Sequence, residues 1–340
     1  MDSRSKRPSA RRRVTGRRQR IAAFAGTRLT VVGDLVADEF IYGRIERVSR
    51  EAPVLILGYD STEVVPGGAG NAAANVASLG GRADLVGVIG RDDAGRRLVA
   101  ALPPRVDATG VIRSSRYPTP VKTRILAGGV HSAKQQVVRI DRAGGVVGAS
   151  LTRRVEARLV ASVKRADAVI VSDYGGKLIT PALWTRALAG AGRRQPPIVV
   201  VDSRYGLEGF ADMTACTPNE PEVEALLGIR IDDDREVLER AGRDLLGRLG
   251  CQAVLITRGS RGMALFESDR PTDHIPIVGS DEIADVTGAG DTVIAAFTLA
   301  LAAGANFAEA ARLANHAGGL VVMKRGTAVV TADELLAAAG

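Results

Sequence analysis

Asp285-Val286-Thr287-Gly288-Ala289-Gly290-Asp291 runs without a break into the apolar segment Thr292 to Ala303. The stretch reads as a glycine-bearing turn opening a buried helix, with a carboxylate in the first turn. Gly288 and Gly290 carry no Cβ, so the backbone can approach a ligand closely. N–H groups at such a helix start lack partners within the helix and lie at the positive end of its dipole, which suits an anion. Asp291 is out of place if the turn only binds phosphate, because the two negative charges repel. It fits if the acid takes a proton from a hydroxyl that attacks the phosphate. Alone, the GxGD pattern is better read as a loop before a core helix with an early-turn charge. The rest of the chain reverses that.

The 340 residues, 46% of them hydrophobic, suffice for one large domain or two smaller ones. A net charge of +8 suggests a nucleic-acid binder, but its location argues otherwise. Of 46 basic and 38 acidic residues, nine basic and one acidic fall in residues 1–20, leaving 37 of each. Residues 1–28 therefore read as a basic, disordered, solvated tail on a neutral folded domain, 29–340, with no nucleic-acid partner expected. Arg17-Arg18 resembles a twin-arginine signal, yet the apolar stretch Ile21 to Ala25 is too short for a signal segment. The run Val293 to Ala303 is too short to span a bilayer and reads as a core helix. Cys216 and Cys251 lack metal-ligand spacing or disulfide density, and His131, His274 and His316 are scattered singly. These features point to a cytoplasmic protein without membrane contact.

Short β-branched runs alternate with helical patterns beyond the tail. Leu29 to Gly33, Leu85 to Ile89, Ala168 to Val171, Ile198 to Val201 and Val254 to Thr257 read as buried strands. Helical stretches are expected near 68–79, 92–101, 152–165, 181–190, 220–227, 234–249, 289–303 and 307–324. This alternation predicts an α/β fold, a mostly parallel sheet with helices on both faces. Residues 40–64 and 120–141 break the rhythm with alternating patterns such as Val121-Lys122-Thr123-Arg124-Ile125-Leu126. They predict half-exposed antiparallel strands, the second pair turned by Gly128-Gly129, that form a small sheet acting as a lid. The exposed face of such a sheet suggests a homodimer through it.

Ligands of open α/β sheets bind beyond the carboxyl ends of the strands. Asp34, Asp38, Asp173, Asp202 and Thr257 fall at or just after such ends, and converging carboxylates suit a polyol. Pro66-Gly67-Gly68-Ala69-Gly70-Asn71 opens an alanine-rich helix. It is neither a GxGxxG fingerprint nor a GxxxxGK[ST] loop, and it is as readily a packing turn as a ligand contact. In Thr217-Pro218-Asn219-Glu220-Pro221-Glu222, Asn219 and Glu222 have capping-box spacing, the more ordinary reading of that motif taken alone.

The combination decides. A GGxxN helix start early, an N-x-x-E centrally and D-x-T-G-A-G-D late resemble the ribokinase-like (PfkB) family of carbohydrate kinases from about Leu29 to Leu336. Within it the chain looks most like the D-glycero-β-D-manno-heptose 7-phosphate kinases. The matching stretches include Gly33-Asp34 with Asp38, Arg47-Val48-Ser49 with Glu51-Ala52-Pro53, Ser172-Asp173-Tyr174-Gly175, Thr257-Arg258-Gly259, and Ala314-Asn315 with Gly326-Thr327-Ala328. The resemblance implies a magnesium-dependent ATP:sugar phosphotransferase, with Asp291 as base and the N–H groups of Gly288, Ala289 and Gly290 as the anion hole. It implies that Asn219 and Glu222 organise Mg2+ and phosphate largely through water, and that Thr257, Gly259 and Asn315 take the nucleotide. Asp34, Asp38, Gly67, Gly68, Asn71 and Asp173 would contact the sugar or sugar phosphate. Asp285 and Thr287 match positions that in relatives help hold a monovalent cation such as K+. The acceptor proton leaves late in phosphoryl transfer, so an ordinary Asp pKa is expected to suffice.

Three departures concern the substrate. Arg50 stands where the heptose kinases usually carry a proline, Asp202-Ser203-Arg204 replaces Asp-Pro-Lys, and Gly175-Gly176-Lys177 shifts a lysine by one position. As the chain ends soon after Leu336, the nucleotidyltransferase domain fused to some relatives is not expected. Two alternatives stand beside the heptose 7-phosphate reading: a free hexose, pentose or nucleoside as acceptor, and a non-catalytic sugar-binding protein. The second would predict loss of Asp291, Gly288 or Gly290, and all three are present.

Overall fold

Alternation along single strands sets the layers. In the computed structural model, which describes residues 10–128, 134–279, 285–324 and 326–339, Leu29 and Val31 point into one core while Val32 points into another. Leu85 against Val86 and Val88, and Leu255 against Val254 and Ile256, divide the same way, as a period of two requires. The sheet carrying them is buried on both faces.

Helix α1 (Ala10–Ala23) leads into β1 (Arg28–Gly33), followed by two long strands, β2 (Leu35–Val48) and β3 (Leu55–Gly68). Next come α2 (Ala69–Ser78), β4 (Arg82–Gly90), α3 (Asp93–Ala100), β5 (Val106–Asp107) and β6 (Val111–Ser114). A second long pair, β7 (Val121–Gly128) and β8 (Gln135–Arg142), precedes α4 (Ala149–Val163), β9 (Ala168–Asp173), α5 (Pro181–Ala191) and β10 (Ile198–Ser203). The chain continues through β11 (Ala215–Cys216), α6 (Glu220–Leu227), α7 (Arg235–Leu249), β12 (Ala253–Thr257), β13 (Met263–Glu267) and β14 (Asp273–Ile275). Helices α8 (Ala289–Ala302), α9 (Phe307–Val321) and α10 (Ala332–Ala339) follow.

The main sheet has the order β14-β13-β12-β11-β10-β9-β1-β4-β5, parallel from β12 to β5 and antiparallel at the β13 and β14 edge. One face is covered by α2, α8 and α9, the other by α4, α5 and α7. Helix α8 is buried at every position from Asp291 to Leu301, and its alanines let it pack closely against its neighbours. The expected mostly parallel, doubly covered sheet is the one observed. The antiparallel edge is an addition: it pairs residues that the sequence reading passed over between Thr257 and Asp285.

The second sheet, ordered β3-β2-β7-β8, is built from the two segments expected to form it. Its hairpin pairs are antiparallel, but β2 and β7 pair in parallel, because β7 returns to this sheet only after the chain has run through β4 to β6. Ala37, Phe40, Val121 and Ala127 are buried, whereas β8 is exposed throughout. Gly129, half of the expected second turn, and His131 lie outside the described residues.

The tail differs from expectation. Residues from Ala10 form a helix, Ile21 and Phe24 are buried, and only residues 1–9 lie outside the description. Arg17 Nη1 donates to the Ala339 carbonyl at 3.0 Å and Arg20 Nη1 to the Ala303 carbonyl at 2.9 Å. These carbonyls sit at the carboxyl ends of α10 and α8, where a guanidinium satisfies orphan acceptors and the negative end of the dipole. Composition registered the charge and missed this use of it. Among the described residues, no helix is long and apolar enough to cross a membrane.

Candidate active site

β12, β11, β10, β9 and β1 are consecutive and parallel, so their carboxyl ends face one way. The segments at and just beyond those ends bring Asp34, Asp173, Asp202, Asn219 and Thr257 to one edge. Helix α8 points its amino end at the same edge. Gly288 caps it in the left-handed region at φ +78°, where a Cβ would also come within 2.5 Å of Asn71 Nδ2. Only glycine meets both conditions without strain.

Asp291 lies in the first turn of α8 and is 2% exposed. Asn71 Nδ2 donates to its Oδ2 at 2.8 Å and the Tyr174 hydroxyl to its Oδ1 at 3.0 Å. Burial raises its pKa to about 7, against the opposing pull of these two donors. The expectation of an ordinary carboxylate is corrected by burial. Around the turn, the N–H of Ala289 is used internally, donating to the Val286 carbonyl at 3.2 Å. Among the described residues the N–H groups of Gly288, Gly290 and Asp291 have no such partner. The open donors are therefore Gly288, Gly290 and Asp291, rather than the trio containing Ala289.

Two cavities meet at Gly290. One, about 200 Å³, is polar and is lined by Asp173, Asp202, Arg204, Asn219 and Glu222 among others. Asp202 is pushed well above the usual carboxylate range by burial and by the neighbouring Glu222 and Asp291 charges. The other, about 140 Å³, is mostly apolar and is lined by Thr257, Gly259, Ala289 and Asn315 together with Ile277 and Val293. Asn219 and Glu222 form the reciprocal capping box of α6, at 2.9 and 3.0 Å, and Asn219 also bridges to Thr257. The structural reading of that motif holds, and the same residues line the polar cavity.

On the other side of Asp291, Asp34 Oδ2 accepts the N–H groups of Tyr174 and Gly176 at 2.9 and 2.8 Å, while its buried Oδ1 has no partner. Burial raises the Asp34 pKa in spite of those two bonds. Asp38 Oδ1 accepts from Arg124 at 2.6 Å, and Gly67 backs onto the other carboxylate oxygen so closely that a Cβ would collide with it. Gly68 caps α2, the helix that carries Asn71. Asp173 is tied to the Gly175 N–H and the Ser203 hydroxyl, a turn-holding role. Asp285 accepts from the N–H groups of Thr287 at 2.9 Å and Gly326 at 3.1 Å, which fixes the loop before α8.

The description "pfkB family carbohydrate kinase" matches residues 29–334. The chain belongs to that family. This pfkB-family chain is a phosphotransferase acting on a sugar hydroxyl. The protein "Bifunctional protein HldE" of Caulobacter vibrioides is 41% identical over 320 residues, 93% of this chain and 64% of that protein. Its namesake in Geobacter sulfurreducens is 40% identical over 312 residues, covering 91% and 62%. The pfkB-family chain thus spans somewhat under two thirds of these relatives. Arabidopsis thaliana ribokinase, complexed with ribose and ATP, superposes with a TM-score of 0.68 at 22% identity, covering 92% of this chain and 98% of that one. Escherichia coli phosphofructokinase-2 in complex with potassium gives 0.71 at 19% identity, covering 92% and 97%. These two likenesses show the ribokinase-like fold.

Sequence reasoning missed two features of this candidate site. Tyr174 was noticed as part of a motif, not as a contact of Asp291. Lys122 and Arg204 cover its ring, with Lys122 Nζ 5.1 Å and Arg204 Cζ 4.7 Å from the centroid. Neither contact has a local sequence signal, since the partners stand more than 100 residues apart in one case and join two sheets in the other.

Proposed function

We propose that the chain transfers the γ-phosphoryl group of ATP to the anomeric hydroxyl of D-glycero-D-manno-heptose 7-phosphate. The observation that carries the chemistry is Asp291, a buried carboxylate with a pKa near neutrality, set beside open N–H groups at a helix start. Asp291 takes the acceptor proton, and the N–H groups of Gly288, Gly290 and Asp291 stabilise charge on the transferred group. Losing one such preorganised donor typically costs ~10²–10³ in rate. Asp34, Asp38 and Asn71 orient the sugar, and the second sheet closes over it to keep out water.

Identity of about 40% to the HldE proteins supports the heptose substrate, as do the motif matches to heptose 7-phosphate kinases. Lys122 adds a physical argument for a phosphorylated acceptor. It is half-buried and has no ion-pair partner among the described residues; burial disfavours its charge, as do Arg204, Arg139 and Arg124, against the attraction of Asp38. An anion in the sugar pocket would relieve that repulsion.

The polar cavity suits Mg2+ in the manner expected when phosphates supply most ligands. Asp173, Asp202 and Glu222 gather there, and a divalent cation would favour the ionised form of Asp202 that burial and the Glu222 and Asp291 charges now disfavour. Among the described residues no three side chains form a protein cage for a metal, consistent with Mg2+ held by Asn219 and Glu222 through water. When bound, Mg2+ offsets the charge of the phosphates. Each Asp285 oxygen retains a lone pair beyond its main-chain bond, so K+ binding beside Thr287 stays within the proposal. The apolar cavity at Thr257, Gly259 and Asn315 suits a nucleoside. ATP as donor places the reaction in the cytoplasm, and the exposed face of the second sheet is assigned to a homodimer.

An ADP-release assay tests the proposal, using Mg-ATP with heptose 7-phosphates, hexose phosphates, free sugars and nucleosides, beside Asp291→Asn. Turnover confined to heptose 7-phosphate and lost by at least ~10³-fold in the variant is the expected result. Turnover only on an unphosphorylated sugar would discard the substrate while keeping the base.

A further inference from the structure

Both oxygens of Asp291 are held, and one of the two holders is a residue that the motif does not explain. Asn71 binds Oδ2 and the Tyr174 hydroxyl binds Oδ1. Tyr174 directly follows β9, and its own N–H donates to Asp34 Oδ2 at 2.9 Å. Its ring is covered by Lys122 from β7 and by Arg204 from just beyond β10. One side chain therefore joins the expected base, a carboxylate of the expected sugar pocket, the second sheet and the polar cavity.

The phenol is a fixed donor. Burial and the Asp291 and Asp202 charges hold its proton well beyond the usual phenol range. A hydrogen bond donated to a carboxylate favours the ionised form. It also restricts the carboxyl rotamer, which a base needs if it is to face its proton before the sugar binds.

We propose that Tyr174 is a positioning residue for Asp291: its hydroxyl fixes the orientation of the carboxylate and stabilises its charged form. The proposal rests on the reading of Asp291 as the base. Asp38 on β2 also faces this carboxylate and favours its protonated form, while Asn71 on α2 and Lys122 on β7 favour the ionised one, and the Asp291 charge in turn disfavours ionisation of Asp202 on β10. All four remain when the hydroxyl alone is removed.

Tyr174→Phe deletes one oxygen and leaves the ring, its two cations and the main-chain bond to Asp34 in place. With the sugar phosphate that the wild-type protein turns over, kcat is expected to fall about tenfold while both KM values change by less than about threefold. The acid limb of kcat/KM is expected to move about one pH unit toward alkaline. A readout without turnover accompanies it: the 13C-carboxyl titration of labelled aspartate, with the Asp291 signal assigned from Asp291→Asn. Its midpoint is expected to rise in Tyr174→Phe by the same amount. Midpoints that agree between the wild-type and Tyr174→Phe proteins would overturn the proposal, whether or not kcat falls, because a merely structural role leaves them unmoved. Absence of turnover in the wild-type protein on every acceptor would instead sink the kinase substrate reading, and the titration would still decide the role of Tyr174.

Discussion

Asp291, the proposed base, is buried at a cost in stability. Its folded-state pKa is raised to about 7 by burial, so the sign is opposite to that of a salt-bridged carboxylate. Its contribution is fully present below the ordinary carboxylate pKa and is lost as pH rises through about 7, because the unfolded chain ionises first. Asp291→Asn removes that term. The variant should therefore gain stability over the wild-type protein between about pH 4 and pH 7, by roughly 4 kcal/mol at most, and hold the gain above. The real gain is smaller, since the new amide must place an N–H near the donors of Asn71 or Tyr174. Urea denaturation of both proteins at pH 5 and pH 8 checks the point; a pH-independent difference would show that the buried charge is not the cause.

Helix α8 assigns different tasks to two glycines two residues apart. At Gly288 the left-handed conformation and the nearby Asn71 amide forbid a side chain, so Gly288→Ala should lower stability by at least about 1–2 kcal/mol. At Gly290 a Cβ would meet nothing within 4 Å, and the residue lines both cavities. Gly290→Ala should leave the thermal midpoint unchanged or slightly higher, since alanine is favoured over glycine in a helix by roughly 0.5–1 kcal/mol. It should nonetheless raise the KM for ATP by about tenfold or more, a methyl group now occupying ligand space. Thermal melts and ATP titrations of the two variants separate fold-keeping from ligand-facing glycine; equal stability losses would refute the distinction. The carboxyl end of α8 is held by Arg20, so the helix is fixed at both ends by residues distant in sequence.

At the scale of the whole molecule, the second sheet is the part left unfinished. Val138 and Ile140 stand exposed on β8, as do Ile45 and Val48 on β2, an apolar surface of the kind that a partner usually covers. A second copy of the chain is the proposed cover. Light scattering should give a dimer for the wild-type protein and a monomer for Val138→Lys combined with Ile140→Lys. A dimer that survives both charges would place the contact elsewhere.

The sequence by itself determined the layers, because β-branched runs such as Ile198 to Val201 and helical patterns between them admit little other than a doubly covered parallel sheet. It also determined the start of α8, since Gly288 and Asp291 carry their reasons locally, in backbone freedom and in charge beside a dipole. Tertiary structure decided what depends on distant partners. The pKa of Asp291 follows from burial beneath Asn71 and Tyr174, the order of α1 from carbonyls nearly 300 residues or more away, and the parallel pairing of β2 with β7 from the path between them. Local chemistry is written in neighbouring residues. Desolvation and long-range contact are properties of the folded arrangement, and no short stretch of chain encodes them.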